Sequence, residues 1–186
     1  MPDLIRHPDI ITGFPSAREW QQPDLWVSMR NDIKFLALDV DGTLTDGGMY
    51  YTESGEEFKR FDTKDGRGII ELQKRGIKVG LLSSGFKTKI IEGRAKTLGL
   101  EKFYVGTDPK IDILQQWCSD MGIDMKEVAY IGDDINDRDI INSVGFTACP
   151  ADAMPTIKEI VDVVLTRDGG YGCVREFIEE HLGCKL

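Results

Sequence analysis

The sequence predicts an α/β fold, a Rossmann-like doubly wound parallel sheet with helices on both faces. The first observation is that short apolar runs alternate with segments of helical period from residue 33 to the C-terminus. The second is that polar residues follow most of these runs, where the carboxyl ends of parallel strands share one sheet edge. The length of 186 residues suits one such domain with an appendage.

Composition and charge exclude several classes of function. Hydrophobic residues make up 41% of the chain and charged residues 30%, which is ordinary for a globular domain. The net charge of −9 argues against nucleic-acid binding, because phosphate backbones attract basic surfaces. No apolar run approaches the ~20 residues that span a bilayer, and the N-terminus lacks the apolar core of a signal peptide. We therefore expect a cytoplasmic protein without a membrane segment.

The cysteine and histidine content argues against a zinc site. Four cysteines are scattered without C-x-x-C spacing, and the chain has only two histidines. We expect the cysteines to be reduced packing residues.

Residues 1–31 differ from the rest of the chain and are predicted to be a flexible N-terminal extension. Four of the seven prolines lie there, at positions 2, 8, 15 and 23, and no helical or alternating period survives between them. Residues 32–186 are predicted to form the α/β domain.

The first predicted strand covers 33–38 and runs directly into Asp39 and Asp41. A buried strand has no structural use for two acids, because burying a lone carboxylate costs several kcal/mol. Gly42 then permits a sharp turn. An isolated Asp-x-Asp could equally be the polar exit of a strand, so the later elements must decide between the two interpretations.

A protruding β-hairpin is predicted next, from aromatic-rich runs over 47–52 and 57–61 that flank a Ser-Gly turn. A two-stranded ribbon is marginally stable alone, so this one must pack on its own domain or on another subunit.

The remaining elements follow from periodicity. They are a helix over 66–75, a strand over 78–82, a helix with the stripe Ile90, Ile91, Ala95 and Leu98, a strand over 103–105, a helix with the stripe Ile111, Leu114, Cys118 and Met121, a strand over 128–131, a helix ending at Ser143, a strand over 145–148, a short helix after Pro150, a strand over 161–165, and a final helix with Val174, Phe177, Ile178, His181 and Leu182 on its apolar face.

Charged and hydroxyl side chains follow the ends of these strands. The residues concerned are Asp39 and Asp41 after the first strand, Ser83 and Ser84 after the second, Lys110 beyond the third, and Asp133 and Asp134 after the fourth. Such an acidic cluster needs a cation, and carboxylate and carbonyl oxygens suit Mg²⁺, so the edge is predicted to bind Mg²⁺ and a phosphate group. Taken singly, Ser83 and the pair Asp133–Asp134 could cap helices, and Lys110 could be a solvated helix residue. Their coincidence on one edge favours a site.

The order of these motifs resembles the haloacid dehalogenase superfamily of phosphotransferases. The segment 39–43, Asp-Val-Asp-Gly-Thr, resembles the first motif, Ser83 the second, Lys110 the third, and 132–137, Gly-Asp-Asp-Ile-Asn-Asp, the fourth. The resemblance implies that Asp39 is a nucleophile that forms an aspartyl-phosphate and that Asp41 is the proton-transfer partner.

The resemblance also implies roles for the other motif residues. Asp39, the backbone carbonyl of Asp41 and Asp133 would hold Mg²⁺, Ser83 and Lys110 would bind phosphoryl oxygens, and Asp134 would orient Lys110 or a metal-bound water, with Asp137 in the same outer layer. Ser83 is preferred to Ser84 because it directly follows the apolar strand.

The segments 42–82 and 111–132 leave no room for a cap domain. This compact layout, with Thr-Asp-Gly-Gly-Met-Tyr-Tyr at 45–51, Asp-Gly-Arg-Gly-Ile at 65–69 and Gly-Gly-Tyr-Gly-Cys-Val-Arg-Glu at 169–176, resembles that of the capless sugar-acid phosphatases. These enzymes act on 3-deoxy-D-manno-octulosonate 8-phosphate or on nine-carbon, sialic-acid-type 9-phosphates. The likeness implies a small phosphorylated sugar-acid substrate and a homotetramer in which hairpins pair across subunits and the glycine-rich tail helps close the site. Candidate substrate contacts are Arg67, Ser84, Gly85, Lys87 and Arg175.

One departure from the family pattern concerns specificity. The segment Ser83 to Lys87 is one residue longer than usual, and Phe86 stands where a charged residue is frequent. The sequence leaves open the choice between the eight-carbon and the nine-carbon substrate.

The sequence admits two alternatives to an active phosphatase. One is a non-catalytic or weakly active tetramerisation module related to the C-terminal domain of acylneuraminate cytidylyltransferases. Loss of Asp41 or Asp133 would indicate it, and both are present. The other is a response-regulator-like receiver, which lacks the Asp-x-Asp-Gly-Thr pattern.

Overall fold

A computed structural model describes residues 32–86 and 88–184. The predicted extension over 1–31 and the candidate substrate residue Lys87 lie outside the described residues.

The described chain contains eight strands and six α-helices. The strands are β1 (Phe35–Asp39), β2 (Tyr50–Tyr51), β3 (Glu57–Phe58), β4 (Lys78–Ser83), β5 (Lys102–Val105), β6 (Val128–Ile131), β7 (Phe146–Cys149) and β8 (Val163–Val164). The helices are α1 (Thr63–Lys74), α2 (Thr88–Leu98), α3 (Lys110–Met121), α4 (Arg138–Ile141), α5 (Pro155–Lys158) and α6 (Cys173–Glu176). Shorter helical turns cover Val40–Leu44, Met125–Glu127, Ile135–Asp137 and Phe177–His181.

Six strands form one parallel sheet in the order β5-β4-β1-β6-β7-β8. Strand β1 lies inside it, with Leu38 paired to Leu81 on β4 and to Ile131 on β6. The chain fills one side of β1 with β4 and β5 and then crosses to the other side with β6, β7 and β8. The carboxyl end of β1 therefore lies at the topological switch point, where open α/β sheets bind ligands.

Both faces of the sheet are covered, as predicted, and successive residues of β1 supply the two cores. Leu36 and Leu38 pack into the core that contains residues of α1, α2 and α6. Phe35 and Ala37 pack into the core that contains residues of α3, α4 and α5. All five residues of β1 are buried, which explains why its sequence reads as a continuous apolar run ending in an acid.

The predicted hairpin is present but has shorter strands than expected. Tyr50 pairs with Phe58, and the rings of these two residues stack with centroids 5.2 Å apart. An isolated bridge between Thr45 and Phe61 joins the base of the hairpin to the loop that follows β1. Among the described residues no cap domain is inserted beside this hairpin, which confirms the capless layout.

Two of the differences from the predicted elements have identifiable reasons. Helix α1 begins at Thr63 rather than Gly66, because the Asp62 side chain caps it by accepting the Lys64 backbone N–H at 2.6 Å. On α3 the buried stripe includes Trp117, which the predicted stripe omitted, because Trp117 packs edge-on against Phe35 of β1.

The four cysteines are free and buried, as predicted for packing residues. Of the helices in the described ranges, none combines the length and the apolar character needed to cross a membrane.

Candidate active site

Asp39 is the last residue of β1 and is only 3% exposed. The chain turns immediately afterwards, and Gly42 adopts φ +95°, a left-handed conformation that favours glycine. A Cβ at Gly42 would overlap the carboxylate of Asp133, which comes from the end of β6. The turn thus brings the acids of two neighbouring strands together.

Lys110 begins α3 and is also 3% exposed. Its Nζ lies 2.5 Å from Oδ1 of Asp39 and 2.7 Å from Oδ1 of Asp137. Burial lowers the pKa of Lys110, but the charges of Asp39 and Asp137 outweigh burial and raise that pKa overall. The alternative of a solvated helix residue is wrong, and the ammonium group remains charged inside the site.

Asp137 is the acid that holds Lys110 in place. It is fully buried, and its Oδ1 also accepts the Tyr130 hydroxyl at 2.6 Å. Its Oδ2 accepts the backbone N–H groups of Asp133 at 2.9 Å and Asp134 at 3.3 Å. Both oxygens are therefore engaged by the protein itself, which makes Asp137 a positioning group.

The sequence predicts that Asp134 orients Lys110 or a metal-bound water, and the first of these roles is wrong, because Asp137 holds Lys110. The second role stays a prediction. Asp134 is exposed, and its side chain accepts the Ile135 backbone N–H at 2.6 Å as the cap of the turn Ile135–Asp137. That turn brings Asp137, three positions after Asp134, back beneath the end of β6, where it reaches Lys110. The proposed alternative of helix capping is thus correct for Asp134.

The carboxylates of Asp39, Asp133 and Asp137 lie within 4.8 Å of one another. Burial raises the pKa of Asp39 well above its ordinary value, and neighbouring acids add to this although Lys110 opposes it. Burial likewise raises the pKa of Asp133 to about 6. The raised pKa values of Asp39 and Asp133 mean that the acids ionise fully only beside more positive charge than Lys110 supplies. With all three ionised, one lysine leaves two excess negative charges, so the all-oxygen cluster fits a hard divalent cation. Asp39 and Asp133 are the members able to bind it.

Asp41 lies on the more open side of the site. Its Oδ1 is 2.5 Å from Nζ of Lys59, and its Oδ2 accepts the Ser83 hydroxyl at 3.1 Å. Lys59 also lies 3.2 Å from Oε1 of Glu57. Although burial lowers it, the pKa of Lys59 is raised overall by hydrogen bonds to Asp41 and Glu57 and by their charges.

Lys59 and Glu57 were missed by the sequence predictions. Their side chains are each 7% exposed, although they belong to a hairpin that sequence places at the surface. The available signal was their spacing, because opposite charges at i and i+2 of a strand share one face.

The two serines after β4 are in different surroundings. Ser83 is buried, and its hydroxyl contacts Asp41 and accepts the Gly85 backbone N–H at 3.1 Å. Ser84 is exposed and lies 3.3 Å from the Asn136 amide. Ser83 is therefore the serine joined to the acid pair.

The acids open into a cavity of about 440 Å³. Its lining includes Asp39, Asp41, Met49, Tyr51, Glu57, Lys59, Ser84, Gly85, Phe86, Ile91, Asp133, Asp134 and Asn136. The inner wall is charged, whereas the exposed side chains of Met49, Tyr51 and Phe86 make the mouth apolar.

The two arginines predicted to contact substrate are not among the residues that line this cavity. Arg67 pairs with Glu71 at 2.7 Å on the surface of α1. Arg175 pairs with Glu179 at 2.7 Å and packs beside Gly68. Their substrate roles stay predictions, and any such role would require a rearrangement or a neighbouring subunit.

Comparisons with known proteins agree on one family. The haloacid dehalogenase-like hydrolase model matches residues 66–145. The 3-deoxy-D-manno-octulosonate 8-phosphate phosphatase KdsC of Escherichia coli (strain K12) is 37% identical over 150 residues, which cover 81% of this chain and 79% of that protein.

Solved structures give the same result. The 3-deoxy-D-manno-octulosonate 8-phosphate phosphatase of Yersinia pestis has a TM-score of 0.82 at 33% identity and covers 87% of both chains. The phosphatase of the same name from Moraxella catarrhalis, solved with magnesium, phosphate and KDO, has a TM-score of 0.82 at 31% identity, over 88% of this chain and 93% of that one.

Proposed function

Because the chain belongs to the haloacid dehalogenase-like hydrolases and is a phosphatase, we propose that it hydrolyses 3-deoxy-D-manno-octulosonate 8-phosphate. The observation that carries the proposal is the buried carboxylate of Asp39, which lines the cavity and is held by Lys110. The relatives named for this eight-carbon substrate support that choice over a nine-carbon one.

Asp39 is the proposed nucleophile. Its carboxylate oxygen attacks phosphorus, the bond from phosphorus to the ester oxygen breaks, and an aspartyl-phosphate forms. Lys110 and the Ser83 hydroxyl stabilise the charge on the phosphoryl oxygens. The Lys110–Asp137 contact of 2.7 Å fixes the ammonium group before substrate arrives, so little reorganisation is needed during the reaction.

Asp41 is the proposed proton-transfer residue. In its protonated form it gives a proton to the departing alkoxide. As the resulting carboxylate it takes a proton from the water that attacks the aspartyl-phosphate, which releases inorganic phosphate and restores both Asp39 and the protonated Asp41. Its contacts with Lys59 and Ser83 hold the carboxyl group at the cavity side of the site.

Asp39, Asp133 and the backbone carbonyl of Asp41 would hold Mg²⁺. The bound ion would offset the negative charge of the phosphate and of the acids. The two excess negative charges of the cluster support a divalent ion, as does the magnesium in the Moraxella catarrhalis structure.

The test is phosphate release with Mg²⁺ from the eight-carbon 8-phosphate and from a nine-carbon ulosonate 9-phosphate. We expect a higher kcat/KM for the eight-carbon ester and loss of activity in EDTA that returns with Mg²⁺. A preference for the nine-carbon ester would overturn the substrate but not the phosphatase. Failure to release phosphate from either ester would instead favour a non-catalytic tetramerisation module, which the complete acid set argues against.

We also propose that the chain assembles as a homotetramer through its hairpins. Met49, Tyr51 and Phe58 are each more than half exposed on a ribbon of only two residue pairs, and covering them would stabilise it. Light scattering should give four times the chain mass for the wild type and a smaller species for Phe58→Ser. An unchanged mass for the variant would contradict the use of the hairpin.

A further inference from the structure

Arg60 fastens the hairpin to the tail loop, which we define as residues 168–172. Its Nη1 donates to the carbonyl oxygen of Gly170 at 2.7 Å. The guanidinium carbon also lies 4.1 Å from the centre of the Tyr171 ring. A hydrogen bond from a charged donor and a cation–π contact together restrict where this side chain can go.

The tail loop is packed in turn against the loop that follows β1. The Gly170 N–H donates to the Thr43 carbonyl oxygen at 2.9 Å. A Cβ at Gly169 would overlap the carbonyl oxygen of Gly42, so the two backbones touch with no space for a side chain. Any displacement of the tail loop must therefore disturb the segment that carries Asp41.

Lys59 and Arg60 are successive residues that reach in different directions from the exit of the hairpin. Lys59 lies 2.5 Å from Asp41 at the cavity, whereas Arg60 contacts the tail loop. The bridge between Thr45 and Phe61 fixes the next residue, Phe61, to the loop that follows β1. The exit of the hairpin is thus held at adjacent residues, and Arg60 supplies the contact with the tail.

We infer that Arg60 is a positioning residue that keeps Lys59 against Asp41 by holding the hairpin exit on the tail loop. The inference rests on the proposed function, since it assigns Arg60 an effect on proton transfer by Asp41. Arg60 does not touch the substrate cavity and acts through Lys59. Its role links the docking of the tail to the protonation of the leaving group.

The experiment uses two phosphate esters that differ in their need for a proton. An alkyl ester such as a sugar phosphate leaves as a basic alkoxide, whereas p-nitrophenyl phosphate leaves as a stable anion without protonation. We expect Arg60→Gln to lower kcat/KM for the alkyl ester about tenfold and for the p-nitrophenyl ester by less than about twofold. Arg60→Lys should recover part of the loss, because it keeps the cation near the ring and the carbonyl.

A second comparison tests whether the effect passes through Lys59. In a Lys59→Met background, Arg60→Gln should cause no further loss, whereas independent effects would multiply. Lys96→Gln is the matched control, because it removes a surface cation paired with Glu92 on α2, far along the chain from the hairpin.

The outcomes separate this inference from the proposed function. Wild-type protein that releases no phosphate from either ester would refute the proposed function, and the role of Arg60 with it. An active wild type with equal losses on both esters, and a matching fall in Tm, would assign Arg60 to fold stability alone. Unchanged kinetics for Arg60→Gln would refute the inference outright.

Discussion

The two acids of the Asp-x-Asp pair, only two positions apart, lie in opposite surroundings. Asp39 is 3% exposed and contacts a lysine that is itself buried and held by Asp137. The side chain of Asp41 is 37% exposed and contacts Lys59, which comes from a short hairpin. The sheet and its helices build the first environment, whereas a two-stranded ribbon and its packing build the second.

This difference separates the two proposed chemical roles. A buried ion cluster is strongly coupled, so removing one partner leaves an uncompensated charge in a medium of low dielectric constant. A more exposed pair is screened by water, so removing one partner lowers the stability of the fold by less. We therefore expect variants of the Asp39 cluster to lose both stability and activity, and variants at Asp41 and its hairpin to lose mainly activity.

The largest effect is expected from Asp39→Asn. Removing the nucleophile should lower kcat by more than about 10⁴-fold, because the covalent step cannot occur. Phosphate release under saturating substrate and Mg²⁺ provides the measurement, and circular dichroism provides the control for folding. Turnover near the wild-type value would contradict the nucleophile assignment.

Lys110→Met should damage both fold and function. It leaves Asp39 and Asp137 buried without their cation, so the free energy of unfolding should fall by about 3–5 kcal/mol. Activity should fall by more than about 100-fold, because a charge that faces the phosphoryl oxygens is lost.

Urea unfolding measures the stability term of this variant. Adding Asp137→Asn to Lys110→Met should restore part of the stability but none of the activity. If the single variant were as stable as the wild type, the buried cluster would not be the coupled unit inferred from its 2.5 and 2.7 Å contacts.

Lys59→Met tests the open side of the comparison. We expect kcat to fall about 10- to 100-fold. The free energy of unfolding should fall by about 1–3 kcal/mol, less than for Lys110→Met, because Asp41 stays hydrated whereas Glu57 is left buried without its cation. Kinetics and urea unfolding should be measured on the same preparation, with Lys96→Met as the surface control. A stability loss as large as that of Lys110→Met would remove the distinction between the two environments.

The smallest effect on activity is expected at Asp65, a buried acid of α1 outside the cavity. Asp65 accepts the Arg175 backbone N–H at 2.8 Å, and burial raises the pKa of its carboxyl to about 6. The folded state therefore binds this proton more tightly than the unfolded state. Its contribution to stability is present below the unfolded pKa and is lost as pH rises towards 6.

Asp65→Asn removes this titration. Relative to the wild type, its free energy of unfolding should increase between pH 4 and pH 7 by up to about 3 kcal/mol, while kcat at neutral pH changes by less than about twofold. Chemical denaturation at several pH values measures the difference. A difference that does not vary with pH would show that Asp65 is not buried as a raised-pKa acid in solution.

The sequence by itself was sufficient to predict the sheet, both helix layers and the placement of three central site residues at one sheet edge. The apolar run ending in Asp39 predicts a buried parallel strand, and parallel strands must place Asp39, Asp133 and the start of α3 on one edge. These predictions depend on local periodicity and on the short, right-handed connections of α/β folds, both of which are encoded along the chain.

Only the tertiary structure decided which acid holds Lys110, which cation holds Asp41, and what the tail contacts. From the sequence alone, either Asp134 or Asp137 could hold Lys110. Only the turn Ile135–Asp137, seen in the structure, places Asp137 at the lysine. The sequence pattern predicts that Lys59 is a surface charge, whereas the folded hairpin places it over the cavity in contact with Asp41. Such contacts join residues far apart in the chain through side-chain directions, which local sequence does not determine.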